Sequence, residues 1–215
     1  SLHFSMGPEM GSEGQITGWE PPRRIEYQED WAALMGVGPD ELSPMTSEFL
    51  VEAQSGGTCV VRVTTSGFGT GADWEKEFWD DMGPSWLAYF DNLRLYLGHF
   101  PGQEATTLEA SAVKSAMPAS LLAAAHDALG VGAEGSAVVV RGATGTVERI
   151  FEKQTLVRLT APVPGMLNVF AHEMGPDSSV IGVRAYLFSP DAAEYVASEQ
   201  PAWQEWLDGL PVPTS

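Results

Sequence analysis

The stretch Ser66–Glu75, "SGFGTGADWE", has the residue types of an anion-binding loop: three glycines leaving an apolar run and leading into an acidic, tryptophan-bearing segment. A phosphate cradle needs such a loop between a strand and a helix N-terminus, completed by a Lys-Ser/Thr pair. That pair is missing, and Asp73, Glu75 and Glu77 crowd the place a phosphate would take. Carboxylates at a helix start suit the helix dipole and repel a bound anion. The loop therefore reads as the hinge from a last strand into a helix. A second run, Gly130–Gly135 "GVGAEG", spells the dinucleotide fingerprint in the wrong context. It follows a helical pattern and precedes a strand pattern, so its glycines read as a helix C-cap and turn.

Other chemistry-bearing residues are scattered. His3, His99, His126 and His172 have no metal-ligand spacing, so no metal site is expected. Asp127 beside His126 does not form a dyad, because adjacent helical residues point about 100° apart. There is no G-x-S-x-G elbow, and no catalytic set or cofactor motif can be named. The one cysteine, Cys59, lies in the alternating run "GGTCVVRVTT" with no cation nearby in sequence, and reads as a small core residue. A lone cysteine excludes an intrachain disulfide framework and fits a reducing, cytoplasmic compartment.

Composition narrows the partners. With 29 Asp and Glu against 11 Lys and Arg, the net charge is -18, so phosphate backbones and anionic membrane surfaces are disfavoured. No run approaches the roughly 20 apolar residues of a spanning helix. The opening residues lack a signal-peptide pattern, and Leu2, Phe4 and Met6 alternate as if the chain begins inside a strand, with its natural start upstream. Hydrophobic residues make up 44% of the 215, seven of them Trp, which is ample for a core.

The elements that would position any site follow from periodicity. Residues 13–19 and 24–28 read as strands joined at Pro21-Pro22, and 31–45 as a loop. Two β-rich runs, near 47–53 and 58–65, flank the turn Ser55-Gly56-Gly57. Trp86, Phe90, Leu93, Leu97 and Phe100 then step by four and three along one helical face. That helix is expected over 84–98, with Pro84 in its first turn and Gly98 and Pro101 at its end. By alternation, Ile25, Tyr27, Phe49, Val51, Cys59, Val61 and Val63 face it. Residues 103–215 repeat the plan: a strand, a short helix from Pro118, five strands, and a terminal helix expected to break near Pro201, with Trp203, Trp206, Leu207 and Leu210 on its apolar side. Both halves read as antiparallel sheet plus packing helix, an α+β plan. The aromatic stripe is compatible with an ordinary core or with a cavity for an apolar ligand.

The order "GSEGQITGWEPPRRIEY", "FLVEAQSGGTCVVRVTTSGFG" and "WLAYFDNLRLYL" resembles the bacterial SRPBCC superfamily, in its branch of activator-of-heat-shock-protein-90-ATPase homologues. The resemblance covers residues 4–100 and is weaker over 103–215. It implies the START-like, Bet v 1-like helix-grip fold, in which an antiparallel sheet wraps a long C-terminal helix. It implies two such units in tandem, residues 1–102 and 103–215, the first without its N-terminal strand and helices. No catalytic residue of enzymatic members can be carried over. The cavity and gate positions are Trp19, Tyr27, Phe49 and Val61 on the sheet, Phe68 at the strand end, and Trp86, Phe90 and Leu93 on the helix. The expected function is binding of a small apolar molecule between sheet and helix. A cyclase or hydrolase using the same cavity, and a chaperone- or protein-binding module, are the alternatives. A homodimer is compatible with the incomplete first unit.

Overall fold

The computed structural model describes residues 1–212 except 8–9, 33–37, 39–41, 57, 68–70, 72 and 176–177. The chain divides into two compact units, Ser1–Gly83 and Pro84–Ser215.

In the first unit, alternation becomes a five-stranded antiparallel sheet in sequence order. Its strands are β1 (Leu2–Gly7), β2 (Met10–Glu20), β3 (Arg24–Glu29), β4 (Met45–Ala53) and β5 (Cys59–Ser66). The β2–β3 turn falls at Pro21-Pro22-Arg23, closed by Arg23 N–H donating to the Glu20 carbonyl at 2.7 Å. Gly56 takes φ +82° in the β4–β5 turn, a conformation that costs glycine no Cβ clash. Residues opposite one another in antiparallel strands share a face, so register sorts the two sides. Ile25, Phe49 and Val63 lie opposite one another, as do Val51 and Val61, and Tyr27, Ser47 and Thr65. The other side carries Arg24, Glu26, Glu48 and Arg62. There Glu26 opposes Glu48, a like-charge pair that Arg24 bridges by donating to both at 2.6 Å.

Helix α1 (Asp73–His99) begins eleven residues before the expected Pro84 start. Pro84 is therefore interior, not in the first turn. It leaves the Asp80 carbonyl without a helical donor, and the division between the two units falls at this same place. The described cover of the segment 84–99 is on the second sheet.

The second unit holds β6 (Thr106–Lys114), α2 (Pro118–Leu129), β7 (Ala137–Val140), β8 (Ala143–Ile150), β9 (Gln154–Ala161), β10 (Gly165–Gly175), β11 (Ser178–Leu187) and α3 (Ala192–Gly209). The sheet runs β6-β11-β10-β9-β8-β7, so its first strand pairs with its last. On one face α2 packs on β10 and β11, and α3 on β6 and β11. Their side chains share one core, including Leu121, Leu122, Trp203 and Leu207 with Val157, Val169, Ile181 and Val183. This is the helix-grip plan expected of residues 103–215. The other face is covered too. Leu156, Met166 and Phe188 alternate to that side and bury Leu95 and Phe100, and Asn168 exchanges two amide hydrogen bonds with Asn92 at 3.2 and 3.3 Å. Cover on both faces explains the nearly continuous burial of β10.

Helix α2 starts with Pro118 at its first position, where no N–H is missed. It ends as expected at Gly130, φ +66°, with Val131 N–H closing on the His126 carbonyl at 2.9 Å. Helix α3 does not break near Pro201 but runs through it as one element. The proline forfeits one helical hydrogen bond, and burial of Trp203, Leu207 and Leu210 beyond it outweighs that loss. A tight turn at Arg141-Gly142 joins β7 and β8. Both residues take positive φ, +49° and +86°, and the Arg141 guanidinium lies 5.2 Å from the centre of the Trp203 ring. The two edges of the sheet thereby meet the same helix, β6 through its own packing and β7–β8 through Arg141.

Candidate functional site

The first sheet carries the residues singled out by pattern. Tyr27 and Phe49 come from adjacent strands one register step apart, and their rings stack 6.2 Å apart with 20° between planes. Val61 lies on the same face, opposite Val51. Trp19, opposite Ile25, shares that face and is 62% exposed, which suits a rim position. Phe68 lies outside the described residues. Ile25, Phe49, Val51, Val61 and Val63 are half-buried. Among the described residues, both sealed clusters of apolar side chains belong to the second unit.

Cys59 is a correction. Register does place it on this face, opposite Ala53, but it is exposed rather than core. It is the first residue of β5, at the end of the sheet next to the glycine turn.

Along the strands the face grades from apolar to polar. The Val51–Val61 row is followed by Ile25–Phe49–Val63, then by Tyr27–Ser47–Thr65, then by Glu29 between Gly14 and Met45. Tyr27 is buried and bonded to Ser47. Burial raises its phenol above the ordinary range, the Ser47 hydrogen bond opposes the rise, and the Glu29 charge adds to it. The phenol is therefore a neutral hydrogen-bonding group throughout the physiological range. Glu29 is 5% exposed, with Ser12 Oγ donating to its Oε2 at 2.6 Å and Trp31 Nε1 donating to the same oxygen at 3.1 Å. Pattern reading missed Glu29 because one acid among 29 at a strand end looks like surface. Its signal was phase: it shares the period-two face of Ile25 and Tyr27.

Trp86, Phe90 and Leu93 belong to the second unit and are taken by themselves. Trp86 lies 6.2 Å from Phe90 and 5.8 Å from Tyr89, ring centre to ring centre. At 100° per residue, the stripe Trp86–Phe90–Leu93–Leu97 sits about 180° around the helix from Ala88, Asn92 and Leu95. The latter residues are the ones packed on the second sheet, Ala88 and Leu95 being fully buried.

Residues 2–98 match the family Activator of Hsp90 ATPase homolog 1-like protein. The matched segment contains all five strands of the first sheet and ends one residue before the end of α1. No curated protein matches the chain. Among solved structures, CalU16 from Micromonospora echinospora aligns at 13% identity over 53% of this chain and 87% of its own, with a TM-score of 0.41. The di-domain ARO/CYC BexL from the BE-7585A biosynthetic pathway aligns at 13% identity over 96% and 81%, TM-score 0.38. The di-domain ARO/CYC StfQ from the steffimycin biosynthetic pathway aligns at 9% over 96% and 77%, TM-score 0.36. Among the described residues, no helix is long and apolar enough to cross a membrane.

In the second unit, His126 on α2 meets Thr155 on β9, Nε2 to Oγ1 2.7 Å, with Thr155 fully buried. Burial lowers the imidazole pKa, and the charge of Asp127 partly offsets this. The fold thus favours the neutral ring. Its contribution to stability is present above the unfolded histidine value of about 6.5 and is lost as pH falls through that value towards the lower folded one. Urea midpoints between pH 7.5 and 5 are expected to fall less for His126→Gln than for the parent chain. An equal slope in both would remove His126 as a source of acid sensitivity.

Proposed function

We propose that the first unit binds a small apolar molecule on the face formed by Ile25, Tyr27, Phe49, Val51, Val61 and Val63, as START-like ligand binders do. Trp19, Tyr27, Phe49 and Val61 are its proposed contacts. The observation that carries the reading is a contrast. Register gathers these side chains on one side of a sheet whose other side is ion-paired, yet all of them but Tyr27 remain half-buried while the second unit seals its own apolar residues into a core. A face with that composition and incomplete cover has apolar surface left to give a ligand. The functional modules proposed are residues 1–102 and 103–215, supported by a family match ending at residue 98. The single cysteine supports a reducing, cytoplasmic setting.

The test is native mass spectrometry of the full chain purified from its own host, followed by denaturing release. A stoichiometric apolar compound is expected. Phe49→Ala removes one aromatic contact worth about 0.5–1.5 kcal/mol, so affinity for the released compound should fall by about twofold to tenfold. A chain that is empty from its host and takes up no apolar compound in vitro would overturn the reading. That result would favour a protein-binding module, for which the exposed Leu87, Tyr89 and Leu97 on α1 supply an apolar surface. The same spectra report whether the chain is a homodimer.

A further inference from the structure

Glu29 is unusual for where it sits: a carboxyl group closing one end of an apolar sheet face, 5% exposed, with no cationic side chain bonded to it among the described residues. Burial of such a group is costly unless its oxygens are satisfied. Both of its hydrogen bonds, from Ser12 Oγ and Trp31 Nε1, end on Oε2. Oε1 accepts none among the described residues. Gly14, directly opposite Glu29, has no side chain to lie over it. The carboxyl group is thus held in orientation by two donors on one oxygen, while the other has acceptor capacity that no described residue uses.

We propose that Glu29 is the polar recognition group of the ligand face, and that the ligand is a flat apolar molecule carrying a hydrogen-bond donor at one end. This rests on the reading of the face as a ligand site and adds the ligand's chemistry to it. The rings lie along Phe49 and Tyr27, and the donor, a hydroxyl or an ammonium, reaches Glu29 Oε1. Strand rise puts the Tyr27 and Glu29 rows about 7 Å apart, so a molecule of two fused rings spans them. Tyr27 stands between the aromatic and polar ends and, bonded to Ser47, supplies a ring surface without competing for the carboxylate. Ligands bearing carboxylate, sulfonate or phosphate at that end are excluded by like charge.

The experiment is calorimetric titration of the full chain with 2-naphthol, with 2-(aminomethyl)naphthalene and with 2-methoxynaphthalene, which has the same rings and no donor. A hydrogen bond to a charged acceptor distinguishes them by about tenfold to a hundredfold, so one or both donor probes should bind that much tighter than the methoxy compound. The two donor arms tell hydroxyl from ammonium recognition. Glu29→Gln keeps an oxygen for Ser12 and Trp31 and replaces the other acceptor with an amide donor, and it should abolish or reverse the preference. If Glu29→Gln fails to fold, the preference in the parent chain decides by itself. Equal binding of all three probes, weakened alike by Phe49→Ala, would overturn the role of Glu29 and leave the ligand face standing. No binding of any probe would overturn the ligand proposed here, and the ligand face falls with it only if the chain is also empty when purified from its host.

Discussion

Trp203→Ala is expected to destabilise the second unit by about 3–5 kcal/mol, the range for emptying a buried aromatic site in a packed core. Trp203 is 4% exposed and stands edge-on to Trp206 at 5.4 Å. Its neighbours in the core come from α2, α3 and the sheet, so no single element can collapse into the space it leaves. Part of the loss is specific. The Arg141 guanidinium over the indole ring adds a cation–π contact of about 0.5–2 kcal/mol, and it ties the β7–β8 turn to α3. Arg141→Gly separates the two terms. It removes the cation but relieves the positive φ that a side chain adopts at a cost, so its net effect should be small, within about 1 kcal/mol of zero. Urea unfolding followed by circular dichroism measures both. Because the chain has two units, the transition must be assigned by amide exchange within residues 103–215 before a midpoint is converted to free energy. A loss below about 1 kcal/mol for Trp203→Ala would mean that α3 is not gripped as described.

The strands were legible because their signal is local. Period-two alternation and turn residues located the five strands of the first sheet and the six of the second, and register placed Ile25, Tyr27, Phe49, Val51, Val61 and Val63 on one face as alternation implied. What alternation does not carry is cover. Cys59 has the right phase but lies at the end of its strand and is exposed. Glu29 also has the right phase, yet its burial depends on Ser12, 17 residues earlier, a pairing that no local window contains. The prolines misled in a consistent way. Proline's tolerance in a first turn puts a helix start at Pro84 and its backbone cost puts a break near Pro201, whereas both helices continue through them. In α3 the next two turns bury Trp203 and Leu207, and tertiary packing of that size exceeds one lost hydrogen bond.

Helix α1 shows the same limit more sharply, and one pair of substitutions tests it. Leu95 and Leu97 are two residues apart, chemically identical, and on opposite sides of the helix: 1% and 56% exposed. The strongest apolar stripe in the sequence runs through Leu97. The stripe buried on the second sheet runs through Leu95, and reads poorly because Ala88 is small and Asn92 is polar. Asn92 is satisfied by Asn168, 76 residues away, so the sequence around it has no sign that it faces inward. Leu95→Ala is therefore expected to cost about 2–5 kcal/mol, because the side chain is enclosed with Phe100, Leu156, Met166 and Phe188. Leu97→Ala should change stability by no more than about 0.5 kcal/mol. Denaturant titration of the full chain gives both values, with protection of β9 and β10 amides as the local readout. The reverse order, a large loss at Leu97 and little at Leu95, would mean that the helix presents its aromatic stripe to the second sheet. The exposed side chains of α1 would then no longer be a surface available to a partner.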